Sequence, residues 1–115
     1  MPTEKQKQAL VDANTQIRSA EQLLKQASDA ASDPGILAKI GKEYNRLDCF
    51  LYQLSHAQTI DDDDDFTSAT TALKQQAATL QADQAAIEKI VGDVKTAADI
   101  SGYIADALKN IAKLL

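Results

Sequence analysis

A chain of 115 residues is long enough for one core and too short for a two-domain enzyme. Aromatic residues make up only 4%, Trp is absent, and four Gly and two Pro supply few turns, which argues against a β-sandwich built from branched and aromatic strands. The net charge of −5 comes entirely from five adjacent carboxylates, Asp61 to Asp65; acids and bases balance on either side of them, so no basic stripe exists to displace counterions and nucleic acid is not an expected partner.

The bulk of the chain is Ala, Leu, Ile, Gln and Lys, most of them good helix formers, and the expected class is all-α. The N-terminal Met1 to Gln6 is polar and has no apolar core of a signal peptide. With the single Cys49, which has no intrachain partner, this fits a cytoplasmic protein of bacterial type, secretion without a leader being the competing location. No apolar run approaches the roughly 18 residues of a spanning helix.

The first expected helix covers 3–31. Leu10, Ile17, Leu24 and Ala31 recur every seven residues, with Ala13, Ala20 and Ala27 three further on. Ser32-Asp33-Pro34-Gly35 then reads as a turn and a new start, with Asp33 as N-cap and Pro34 at the first helical position. The second helix, 35–58, alternates Leu37, Tyr44 and Leu51 with Ile40, Leu47 and Leu54. An acidic loop follows over 59–65, where like charges favour solvated chain.

The third segment, 66–115, carries one series through Phe66, Leu73, Leu80, Ile87, Val94, Ser101, Leu108 and Leu115. Its companion runs Ala69, Gln76, Asp83, Ile90, Ala97, Ile104 and Ile111. The register passes Gly92 and Gly102 without an evident slip, which favours one long C-terminal helix of roughly 75 Å in an antiparallel bundle with heptad, coiled-coil-like packing. The competing architecture is an up-down four-helix bundle with a break near Gly92 or Gly102. An unbroken helix would overhang its neighbours, and its apolar edge would call for a second chain. Ile90, Val94, Ile100, Ile104, Leu108, Ile111 and Leu115 are therefore the candidate interaction residues.

A second candidate face lies on the second helix. At about 100° per residue, Ala38, Asn45, Cys49, Tyr52 and His56 cluster opposite the Leu37–Leu54 seam, where a plain surface helix would carry Lys and Glu. Cys49 and His56 share this side, but they start about 10 Å apart along the axis, too far for a nucleophile pair. His56 is the only histidine, which excludes a di-iron bundle; a zinc site would lack paired ligand spacing. Histidine phosphotransfer domains carry a basic residue and a Gly after their His, whereas Ala57, Gln58 and Thr59 follow here. Asp61, Asp63 and Asp65 alternate as in an EF-hand loop, but Phe66 stands in place of the turn Gly and Ala72 in place of the bidentate Glu. No catalytic residue, metal or cofactor is expected. The expected function is non-enzymatic protein–protein interaction or assembly, with another copy of the chain or another helical protein as partner. The competing function is a membrane-active or secreted helical protein using the amphipathic C-terminal stretch, whose Lys109 and Lys113 are few for membrane-surface binding.

Overall fold

Four capping residues decide where helices begin in the computed structural model, which describes residues 2–114. Thr3 opens α1 (Glu4–Ala30): its hydroxyl accepts from the Gln6 amide at 3.1 Å, and its own amide donates to Gln6 Oε1 at 2.9 Å. Asp33 opens α2 (Pro34–Gln58), accepting from the Gly35 amide at 2.8 Å, with Pro34 where a missing N–H costs nothing. Asp62 opens α3 (Asp63–Ile90), accepting from the Asp65 amide at 3.0 Å. Asp93 opens α4 (Val94–Ala112), accepting from the Thr96 amide at 3.1 Å and from the Thr96 hydroxyl. The described residues contain these four helices and no strand.

The acidic stretch is shorter as a loop than expected. Asp63, Asp64 and Asp65 form the first turn of α3, where carboxylates meet the positive end of the helix dipole. Lys7 closes the connection from the α1 side. Its ammonium donates to the carbonyls of Gln58 at 2.8 Å and Ile60 at 2.6 Å, lies 3.9 Å from Asp61, and sits 5.6 Å from the centre of the Phe66 ring.

The single helix expected over 66–115 does not form. Val91 takes an extended conformation (φ −84°, ψ 114°), ends α3, and hands the chain through Gly92 to the Asp93 cap. Residues 31–33 make the same connection: Ala31 is extended (φ −84°, ψ 142°), a small residue follows, and Asp33 caps the next helix. The turn between α3 and α4 is thus a second copy of the device read correctly between α1 and α2. Its driving force is burial, since folding back encloses Ile100, Ile104 and Ile111, each worth about 1.5–3 kcal/mol when removed from water.

The seam also shifts at this turn. In α3 the buried residues include Phe66, Leu73, Leu80 and Ile87, but Val94, the next in that series, is 82% exposed, and Ser101 and Leu108 are only half-buried. The buried set in α4 is Ala97, Ile104 and Ile111 together with Ile100 and Ala107, with Leu114 just beyond the helix. A similar displacement occurs in α2, where Ile40, Leu47 and Leu54 are buried as expected. Their companions are Glu43, Phe50 and Ala57, while Leu37, Tyr44 and Leu51 are half-buried.

Helix α1 packs against α2 and α4, and α3 against α2 and α4, while the diagonal pairs do not meet. Polar contacts fix the opposed directions. Asn14 donates to Ser55 Oγ at 3.0 Å, Arg46 to Asp83 at 2.9 Å, and Asn110 to Gln16 Oε1 at 2.8 Å. The result is an antiparallel four-helix bundle with short connections, 48 × 21 × 20 Å in extent and 14.6 Å in radius of gyration, far from a rod of roughly 75 Å. No helix among the described residues is long and apolar enough to cross a membrane.

Candidate interaction surface

The C-terminal residues expected to meet another chain are spent inside this one. Ile100, Ile104 and Ile111 are 2% exposed or less, and Leu108 is half-buried. Ile90 is half-buried and lines a pocket of about 730 Å³ at one end of the bundle, against Ala31, Ile36 and Val91. Val94 alone of this set stands free in solvent; Leu115 lies outside the described residues. The physical reason is the turn at 91–93, which gives the apolar edge of α4 a partner within the same chain.

The second face fares differently. Ala38, Asn45, Cys49, Tyr52 and His56 are all exposed on α2, and Tyr52 is 78% exposed. The stripe is left free because α2 touches only α1 and α3. Cys49 is a free thiol. His56 lies in the last turn, and its backbone carbonyl accepts from the Thr59 hydroxyl at 2.7 Å. The described residues hold no group of three or more His, Cys, Asp or Glu side chains arranged to bind a metal ion.

Beside this stripe, α2 and α3 part to leave a cleft of about 850 Å³. Small residues cause the gap: Ala38 and Gly41 on α2 face Thr79 and Ala82 on α3, with Phe50 and Leu80 beneath. Nothing lies within 4 Å of where a Gly41 Cβ would stand, so the space at that position is open. Composition alone could have flagged the Gly41 gap, since a Gly on the polar side of a helix has no packing role.

A charged cluster at this cleft was not anticipated. Arg46 Nη1 donates to Asp83 Oδ1 at 2.9 Å and to Glu43 Oε1 at 3.3 Å, with the guanidinium partly in water and both acids buried. Burial pushes the Glu43 carboxyl from its ordinary 4.5 up to about 7, and the adjacent Asp83 adds to this against Arg46 and Lys42. On the other flank of α2, Glu21 of α1 is also buried. Its carboxyl too is pushed up to about 7, first by burial and then by Asp48, while Tyr44 and Arg18 pull it down. The Tyr44 hydroxyl is raised in turn, chiefly by the charge of Glu21. The signal in the sequence was Glu43 and Asp83 at core-spaced positions, Asp83 being one of the three interruptions in the third segment.

Comparison with protein-family models, with curated proteins and with solved structures gives no match for this chain.

Proposed function

We propose that this chain is a non-enzymatic interaction module, a bundle with coiled-coil-like packing whose contact surface is the α2–α3 face. The observation that carries this reading is the exposed run Asn45, Cys49, Tyr52 and His56 beside an open cleft walled by Ala38, Gly41, Thr79 and Ala82. An exposed Tyr supplies large contact area at small entropic cost, and the small residues Ala38, Gly41 and Ala82 in the cleft wall leave room for a partner's side chain. The partner is a second copy of the chain or another helical protein. The earlier candidate edge on α4 drops out of this surface because its large residues are in the core.

Sedimentation of the intact chain over a range of concentrations tests self-association, using Tyr52→Ala and Gly41→Gln as probes. Both positions are exposed, so both variants should keep the wild-type circular dichroism. Association that Tyr52→Ala weakens and Gly41→Gln blocks supports the face. A chain monomeric at every concentration removes the second copy as partner. Association that both variants leave unchanged removes the face.

A further inference from the structure

Both sides of α2 are held by buried carboxyl groups. On the α3 side, Glu43 and Asp83 share the single guanidinium of Arg46. On the α1 side, Glu21 lies with Tyr44 and Asp48 of α2 and Arg18 of its own helix. Glu21 is the one buried charged residue of α1, Glu43 that of α2 and Asp83 that of α3, among the described residues. The buried residues of α4 are uncharged: Ala97, Ile100, Ile104, Ala107, Asn110 and Ile111.

The two clusters occupy one level of the bundle. The Asn14–Ser55 bond fixes the antiparallel register of α1 and α2, and seven residues along it Glu21 stands opposite Asp48. Asp48 is two residues from Arg46, which reaches across to Asp83. A single short stretch of α2, from Glu43 to Asp48, therefore meets both clusters.

We propose that this stretch makes the bundle a proton-operated device, in which protonated Glu21 and Glu43 clamp α2 between α1 and α3 and loss of their two protons loosens α2 while the α1–α4 and α3–α4 contacts hold. With Glu43 neutral, the Arg46 cluster contains one cation and one anion and balances. Ionised, it holds two buried carboxylates against the partly solvated Arg46 guanidinium and the solvent-exposed Lys42, and letting water between α2 and α3 relieves the buried excess charge. On the other flank, ionised Glu21 is a buried carboxylate facing the exposed Asp48, with Arg18 and the Tyr44 hydroxyl offsetting part of the penalty. No such penalty arises on α4, whose buried surface carries no ionisable group. How α2 is held is independent of what its exposed face binds.

Amide hydrogen exchange of the intact chain, expressed as protection factors at pH 5.5 and pH 8.5, tests it. The expected result is that α2 loses at least about tenfold in protection relative to α4 on going to the higher pH, the effect of one unit of pKa displacement. The Glu21→Gln, Glu43→Gln double variant, which keeps the shape of the protonated acids, should lose this difference. Equal loss in α2 and α4, or the wild-type pattern persisting in the double variant, overturns the proposal. If the variant does not fold, carboxyl-carbon NMR titration of the wild type decides instead. Midpoints for Glu21 and Glu43 near 7, with exchange of α2 amides rising relative to α4 over the same pH interval, support the clamp; midpoints near the ordinary 4.5, or α2 exchange that does not follow them, overturn it.

Discussion

Gln84 and Ser101 are hydrogen-bonded to each other across the α3–α4 interface. The Gln84 amide donates to Ser101 Oγ at 2.7 Å and to the Ser101 carbonyl at 3.0 Å, and Ser101 Oγ in turn donates to Glu88 at 2.7 Å. On a continuous helix these two residues would lie about 25 Å apart. A double-mutant cycle with Gln84→Ala and Ser101→Ala, read by urea denaturation, should give a coupling of about 0.5–1.5 kcal/mol. Strict additivity would contradict the folded-back arrangement.

The core position of α4 separates internal burial from an external interface. Ile104→Ala should destabilise the monomer by about 2–5 kcal/mol, whereas Val94→Ala, at an 82% exposed site, should stay within about 0.5 kcal/mol. Chemical denaturation at low protein concentration measures both. Were the cost of Ile104→Ala to vanish on dilution, the residue would belong to a contact between chains.

At the turn, the cap and not the glycine stops the helix. Gly92 has no positive φ, and a Cβ there meets nothing within 4 Å, so Gly92→Ala should be tolerated with a gain of up to about 1 kcal/mol. Gly102, exposed inside α4 with the same open space, should gain about 0.8–1 kcal/mol on replacement by Ala. Asp93→Ala should lower the melting temperature instead. The Asp93 carboxyl is held below its ordinary 3.8 by hydrogen bonds from the Thr96 hydroxyl and amide. Its contribution is therefore present above pH 3.8 and disappears as pH falls through the depressed value, so wild type and Asp93→Ala should converge in acid.

Glu21 and Glu43 set an opposite trend near neutrality. Each is raised from 4.5 to about 7 in the folded chain, so each favours the fold fully below 4.5 and ceases to do so as pH rises through 7. The unfolding free energy from urea titration should fall between pH 5 and 8.5, by on the order of 2 kcal/mol in total, less than the full displacement because loosened helices admit water. Glu43→Gln alone should remove about half of the slope. An unfolding free energy that climbs over this interval would show that other groups dominate.

The start of α2 was legible because capping is local chemistry. Asp33 with Pro34 announced α2 in a span of two residues, and the Leu10, Ile17 and Leu24 series located the buried side of α1. The turn at Val91-Gly92-Asp93 was missed because Ala97, Ile104 and Ile111 stay in phase with Ile90, so one of the two series crosses a three-residue loop undisturbed. The other series had already failed at Ser101, and the wholly apolar set Ala97, Ile100, Ile104, Ala107, Ile111 and Leu114 was the stronger pattern. The exposed face of α2 was readable from its place opposite the Leu37–Leu54 seam. The acid clusters were not, because ion pairing between Arg46 and Asp83 depends on which helices become neighbours.

Sequence alone determined that this protein is helical, where α1 and α2 begin, and which side of α2 stays wet, since capping and amphipathic spacing act within a few residues. Tertiary structure alone decided that α4 folds back to be covered by its own chain, and that Glu21, Glu43 and Asp83 sit out of water on either flank of α2. Those outcomes follow from apolar surface seeking the nearest cover and from charges brought together by helices far apart in the chain, neither of which a local pattern encodes.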